Sequence, residues 1–259
     1  MFPLKDNIPT DRFAAVTVGM IAANVLAYFF FQHGTISLGD PSNADYVNNL
    51  FRYAAIPYEV THPGEQCVRM GEAALRCTEG VQGQPSTWLT LFTSMFMHGG
   101  LLHLGGNMLF LWIFGNNVED SMGPVKFVAF YLLGGLAATA AQTLIDPSAA
   151  VPTIGASGAV AGVLGGYLLL FPRARVVTVI FIVFFFTVLE LPAILVLGLW
   201  FVQQVAFGYF DLSDPTGGGG GVAYFAHIGG FAFGLLAIKL FASRRKRRRD
   251  PPDTLAWAQ

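Results

Sequence analysis

Residues 155–171 read Gly-Ala-Ser-Gly-Ala-Val-Ala-Gly-Val-Leu-Gly-Gly-Tyr-Leu-Leu-Leu-Phe, an apolar run with Ser157 near its start. A second apolar run, at about 223–242, carries His227 near its own start. Runs this apolar and this long predict helices that lie inside a lipid bilayer rather than on the surface of a soluble protein. The fold of the chain therefore depends on how many such runs it contains.

The composition indicates a membrane protein with several spans. Hydrophobic residues make up 54% of the 259 residues, charged residues only 12%, and there are 24 Phe, more apolar surface than one soluble core would bury. Six blocks are long enough, or nearly so, to cross about 30 Å of hydrocarbon. We predict an all-α, polytopic bundle of six transmembrane helices in residues 13–242, with a long first outer loop at about 33–87. The blocks lie at about 13–32, 100–118, 125–145, 155–171, 192–210 and 223–242.

The basic residues predict the orientation of the bundle. Residues 244–249 read Arg-Arg-Lys-Arg-Arg-Arg, directly after the last apolar block. A nucleic-acid site is the alternative for such a run. A basic run beside a membrane helix favours a cytoplasmic tail instead, and we place this tail at 243–259. Arg173 and Arg175 put the end of the fourth block on the same side, with the N-terminal residues 1–12. An apolar segment at 176–190 then begins and ends on one face, so we predict an interfacial or re-entrant segment buried against protein.

The two cysteines, Cys67 and Cys77, both lie in the predicted outer loop. If that loop faces an oxidising compartment they can close a small disulfide loop, and two free thiols are the alternative. We expect no metal site, because His62 is the only nearby histidine and no second cysteine pair accompanies it.

Five polar side chains fall in the outer halves of the three helices that run from outside to inside. Intramembrane polar groups are costly and are functional candidates by default. Residues four apart on a helix share one face, so His103 and Asn107 lie together on one face of the second helix. The five are His98, His103, Asn107, Ser157 and His227.

The residue types favour acyl-transfer chemistry. Gly155 and Gly158 flank Ser157 and leave the amides of Ser157 and Gly158 free to hold an oxyanion, assisted by the side chains of the second helix. His227 can act as the base for the serine hydroxyl if the small residues Gly230 and Gly234 pack closely against the fourth helix. No carboxylate occurs near this face, so we predict a Ser-His dyad.

Each of these residues also has a structural alternative. Ser157 in a Gly/Ala run can be a small packing residue, and His227 can bond a backbone carbonyl. His103 and Asn107 can link helices by hydrogen bonds. We prefer the catalytic interpretation because all of them lie at one predicted membrane depth, on helices of one direction.

Three ordered motifs resemble those of the rhomboid intramembrane serine proteases. They are His98-Gly-Gly-Leu-Leu-His-Leu-Gly-Gly-Asn107, Gly155-Ala-Ser-Gly158 and Ala226-His-Ile-Gly-Gly-Phe-Ala-Phe-Gly234. The resemblance covers nearly all of 13–242. It implies Ser157 as nucleophile, His227 as base, His103 and Asn107 as oxyanion donors, and transmembrane protein segments as substrates, without cofactor, metal or nucleic acid. It also implies structural roles for His98 and Glu119.

The chain departs from the family pattern at two places. Ala161 stands where some members carry an aromatic residue that stacks on the histidine, so the orientation of His227 must come from elsewhere. The frequent Trp-Arg pair of the first loop is absent as well. The five glycines at 217–221 suggest either a mobile lid over the serine or a slack connector.

Two other functions compete with a protease. A catalytically inactive rhomboid relative would bind membrane clients, but such proteins usually lack the serine or the histidine. A transporter or channel would predict internal repeats, which the sequence does not show convincingly. We expect an inner, plasma membrane of a bacterium, with both termini cytoplasmic.

Overall fold

The computed structural model describes residues 2–36, 44–70, 74–182, 185–213 and 222–243. The basic run at 244–249 and the glycine run at 217–221 lie outside the described residues.

Helices occupy all six apolar blocks of the sequence. π-Helical turns extend the first helix over Ala27–Phe31 and the second block's helix over Leu111–Gly115. In chain order the elements are β1 (Phe2–Asp6), α1 (Ala15–Leu26), α2 (Ala44–Tyr53), α3 (Pro57–Thr61), β2 (Glu65–Met70), β3 (Ala74–Glu79), α4 (Thr87–Thr93), α5 (Leu101–Phe110), α6 (Asn116–Met122), α7 (Pro124–Ile145), α8 (Ser157–Leu170), β4 (Arg175–Ile182), β5 (Phe185–Pro192), α9 (Ala193–Ser213) and α10 (Tyr224–Phe241).

Three helices of the described part of the chain, α7, α9 and α10, are long and apolar enough to cross a membrane. The helix of the first block, Ala15–Phe31, and α8 are apolar but shorter. The second block is divided between α5, its π-helical turn and α6. The predicted count of six membrane spans therefore stays a prediction, although the six helical blocks are present.

The central element is α8, which is buried on every side. All residues from Gly158 to Tyr167 are buried, which explains why this helix is apolar around its whole circumference. On α9, by contrast, many apolar side chains are exposed, among them Leu195, Leu199 and Val202. Outward apolar surface of this kind suits contact with lipid.

The described part of the chain is mostly helical, as predicted, but it is not all-α, because it also contains two small antiparallel sheets. β2 and β3 form a hairpin between α3 and α4, and β1, β4 and β5 form a sheet in the order β1-β4-β5. Strands β4 and β5 of the second sheet cover the segment 176–190, whose β-branched and aromatic residues favour extended backbone.

Strands β4 and β5 pair as a hairpin, and this hairpin corrects the prediction that residues 176–190 are buried against protein. At its base Val176 and Thr178 are fully buried. Near its tip Phe181, Phe185 and Phe186 are exposed. The segment is a β-hairpin with a covered base and an uncovered apolar outer half.

Glu119 joins α6 to the start of α1. Its carboxylate accepts the backbone N–H of Val16 at 3.0 Å and both the N–H and the hydroxyl of Thr17 at 2.7 Å. A carboxylate at a helix N-terminus satisfies amides that have no partner inside the helix. Its contacts are those of a structural group, as the resemblance implies.

Candidate active site

The turn before α8 sets the position of Ser157. Gly155 adopts φ +115°, a left-handed conformation that suits glycine, and its N–H donates to the carbonyl of Ser94 at 2.9 Å. The helix then begins, and its first backbone bond runs from Val160 N–H to the carbonyl of Ala156 at 2.9 Å. The amides at 157–159 precede that bond, so they form a cluster of donors without an intrahelical partner.

Close packing of α8 and α10 brings Ser157 and His227 together. A Cβ at Gly230 would overlap the carbonyl of Gly158, and one at Gly234 would overlap the carbonyl of Gly162. The helices can approach this closely only because these positions lack side chains. As a result the Ser157 hydroxyl oxygen lies 2.7 Å from Nε2 of His227.

The other ring nitrogen of His227 meets a residue that the sequence analysis missed. Nδ1 lies 2.7 Å from the side-chain oxygen Oε1 of Gln204 on α9. An amide oxygen only accepts, so Nδ1 carries the proton and Nε2 is left as the acceptor for the serine hydroxyl. The Trp200 ring, one turn earlier on α9, has its centroid 5.8 Å from that of His227.

The signal for Gln204 is present in the sequence. Gln203 and Gln204 are the first strongly polar side chains in a helix that is otherwise apolar from Ala193 to Val202. A polar residue inside a membrane helix is a functional candidate by default. The sequence alone does not say which of the two faces inward, and the structure shows Gln204 buried and Gln203 exposed.

His103 faces the same small space as Ser157. Its Nδ1 accepts the N–H of Gly99 at 3.2 Å, so the proton of the neutral ring is on Nε2. A Cβ built on Gly155 would lie 2.8 Å from that Nε2 and 3.5 Å from the Ser157 hydroxyl oxygen. The absence of a side chain at Gly155 keeps this space open between a donor and the serine.

Asn107 lies one turn further along α5 and is buried. Its amide nitrogen donates to the carbonyl of His103 at 2.9 Å. This bond uses one of its two N–H groups and leaves the second for another acceptor. The structure therefore places Asn107 beside His103, with its described hydrogen bond inside its own helix rather than to Ser157.

His98 has a different environment from the other candidate residues. It is fully buried, and its backbone exchanges two hydrogen bonds with the side chain of Gln32, at 2.6 and 2.9 Å. Its carbonyl also accepts the hydroxyl of Tyr46 at 2.6 Å. These bonds join the end of the first helix, α2 and the segment before α5, which is a structural arrangement.

Cys67 and Cys77 are bonded in a disulfide that crosses the β2–β3 hairpin, with Cα atoms 3.9 Å apart. The N–H of Cys67 donates to Glu59 at 2.7 Å. Burial raises the pKa of the Glu59 carboxyl, and the hydrogen bond from Cys67 offsets part of that rise. The disulfide joins the two strands of the hairpin, and the hydrogen bond to Glu59 connects the hairpin to α3.

A small cavity borders Ser157 on the side of α7. Its volume is about 20 Å³, and its polar lining comes from Ser94, Thr139, Thr153 and Ser157. A polar cavity of this size holds one water molecule. The site therefore combines a serine, a histidine and room for water.

Comparison with known proteins identifies the family of the chain. The profile of the Rhomboid domain matches residues 85–244, more than half of the sequence. The chain belongs to the rhomboid family. It is therefore a polytopic membrane protein, and the resemblance that the motifs indicate is confirmed.

Individual rhomboid relatives match parts of the chain. Rhomboid protein 1, mitochondrial, of Saccharomyces cerevisiae is 31% identical over 170 residues, 62% of this chain and 45% of the yeast protein. Rhomboid protease GluP of Bacillus subtilis is 38% identical over 81 residues, 31% of this chain and 15% of GluP. RHOMBOID-like protein 5 of Arabidopsis thaliana is 30% identical over 147 residues, 56% and 41% of the two chains. The chain thus spans less than half the length of each of these rhomboids.

Proposed function

We propose that this rhomboid is an intramembrane serine endopeptidase that cleaves transmembrane protein substrates, with Ser157 as nucleophile and His227 as general base. The observation that carries the proposal is the 2.7 Å separation between the Ser157 hydroxyl oxygen and Nε2 of His227. A serine hydroxyl becomes an effective nucleophile when an adjacent base takes its proton, and a hydrogen bond of this length allows that transfer.

The reaction follows the chemistry of acyl transfer. As Ser157 attacks the peptide carbonyl carbon, its proton moves to Nε2 of His227, and the carbonyl oxygen becomes an oxyanion. The protonated imidazole then gives that proton to the leaving amine, and the C–N bond breaks. Water, activated by the same histidine, hydrolyses the acyl-enzyme and releases Ser157.

The oxyanion has candidate donors on two helices. The amides of Ser157 and Gly158 are at the unpaired start of α8, and Nε2–H of His103 faces the space above Gly155. The free N–H of Asn107 is the fourth candidate donor. Fixed donors of this kind stabilise charge that develops in the transition state, and removing one costs about a hundredfold or more in kcat.

The membrane setting is part of the proposal. Six spans would put Ser157, His103 and His227 near one face of the bilayer, below its surface, with water reaching them from that face. The substrate would be a transmembrane segment that unwinds there to expose a peptide bond. The relatives are mitochondrial, plant and bacterial proteins, and a bacterial inner membrane with cytoplasmic termini stays a prediction.

The test is cleavage of a single-span substrate by the purified full-length protein in liposomes. We expect wild type to cleave, and Ser157→Ala and His227→Ala to lose cleavage while they keep their thermal unfolding midpoints. Ser148→Ala and His62→Ala serve as matched controls because both residues are exposed in loops, and they should cleave like wild type. Equal cleavage by Ser157→Ala and wild type would disprove the proposal.

A further inference from the structure

Gln204 lies on the face of α9 that packs against the protein, in line with the buried residues Leu197 and Gly208. It is 6% exposed, whereas its neighbours Val202, Gln203 and Val205 are exposed. A primary amide in an apolar helix loses its hydration when it is buried, and that cost is met only by a good hydrogen-bond partner. The partner here is Nδ1 of His227, at 2.7 Å.

His227 needs such a partner to act as a base. A neutral imidazole has two tautomers, and only the one with the proton on Nδ1 presents a lone pair on Nε2 to Ser157. Ala161, buried in α8, offers no aromatic ring against which the imidazole could stack. An acceptor at Nδ1 holds both the tautomer and the plane of the ring.

The geometry points to Gln204 as a positioning residue for the proposed reaction: its side-chain oxygen accepts Nδ1–H of His227 and keeps Nε2 directed at the Ser157 hydroxyl. The inference rests on the proposed protease function. Gln204 does not touch the substrate bond in this scheme and acts only through His227.

An amide suits this position better than a carboxylate does. A carboxylate in an apolar environment is costly unless it is paired, whereas an amide is neutral and needs only hydrogen bonds. The amide oxygen accepts from the neutral imidazole and from its protonated form alike. It can therefore hold the ring through both proton transfers of the reaction.

The experiment compares three variants of the full chain in liposomes. Gln204→Met keeps the length of the side chain and removes the accepting oxygen. Gln204→Glu keeps an oxygen at the same reach. Gln203→Met is the matched control, since it makes the same change at the exposed neighbouring position.

We expect Gln204→Met to lower kcat about tenfold or more, the effect of losing one buried hydrogen bond, with little change in KM. Reaction of Ser157 with a fluorophosphonate should slow by a similar factor, and the unfolding midpoint should stay near that of wild type. Gln204→Glu should restore part of the rate, because its oxygen can also accept Nδ1–H although the carboxylate is costly to bury. Gln203→Met should match wild type.

Other outcomes separate this inference from the proposed function. If wild type cleaves and is labelled, but Gln204→Met has the same kcat and labelling rate, the inference is wrong and the protease proposal stands. If Gln204→Met loses rate but Gln204→Glu gains none of it back, the accepting oxygen is not what matters and the inference also fails. If wild type neither cleaves nor reacts, the protease proposal itself is wrong.

Discussion

At the scale of single residues, the sequence predicted the contact between Ser157 and His227. Both have reactive side chains, and both were placed at the same predicted depth. Ser157 and His227 stand near the heads of apolar helices, and Gly155 and Gly158 mark the turn that exposes the amides. Gln204 was missed because helix periodicity alone does not say which side of a lipid-facing helix meets another helix. The side of α9 that faces inward is set by its packing against α10, and this packing cannot be read from a single sequence.

Gly155 provides the sharpest test at this scale. Gly155→Ala puts a Cβ 2.8 Å from the His103 ring and forces a left-handed conformation on alanine, which costs about 1–2 kcal/mol. We expect cleavage to fall about a hundredfold because the displaced ring and serine lose their geometry. Gly105→Ala and Gly106→Ala are the matched controls, since a Cβ at either position meets nothing within 4 Å. Wild-type kcat in Gly155→Ala would contradict this account of the site.

At the scale of elements, the sequence predicted the six helical blocks well and the sheets poorly. Long apolar runs give a strong signal because many consecutive apolar residues are rare outside helices that are buried or face lipid. The segment 176–190 is apolar too, and hydropathy alone does not separate a strand pair from a short helix. Its pairing with β1 depends on residues at the far N-terminus, a long-range contact that local patterns do not reveal.

The contact between α8 and α10 is the element-scale feature on which the site depends. Gly234→Ala places a methyl group against the carbonyl of Gly162, and overpacking of this kind costs about 1–3 kcal/mol. We expect a lower unfolding midpoint in detergent, together with slower cleavage as Ser157 and His227 separate. Gly198→Ala on α9 should do neither, since its Cβ would meet nothing within 4 Å. An unchanged midpoint for Gly234→Ala would show that the helices are not held this closely.

At the scale of the whole molecule, the candidate catalytic residues and the contacts of the N-terminal segment lie at opposite ends of the bundle. Ser157, His227 and His103 share one end. At the other end Glu119 caps α1, and the Asp6 carboxylate accepts the Tyr167 hydroxyl at 2.5 Å. The sequence motifs pointed to the residues of the first end because of their chemistry. The second end depends on tertiary contacts of the N-terminal strand, which the sequence analysis treated only as a cytoplasmic segment.

From the β4–β5 hairpin we predict how the end of the bundle that holds Glu119 and Asp6 contacts the membrane. Both faces of its outer half are apolar and exposed, which suits the boundary between headgroups and acyl chains better than water. A spin label at Phe186→Cys in liposomes should therefore be more accessible to oxygen than to a water-soluble nickel chelate. A label at Ser148→Cys, in an exposed turn, should show the reverse. Nickel accessibility at 186 equal to that at 148, or broadening by a label on a second copy, would contradict the prediction.

The most direct measurement is the mass-spectrometric mapping of a fluorophosphonate adduct on the full-length protein in a bilayer. The account predicts one covalent adduct on the hydroxyl of Ser157, and its loss when His227 is replaced by alanine in a protein that remains folded. An unmodified Ser157 under conditions in which a control serine hydrolase reacts fully, or equal labelling with and without His227, would contradict it.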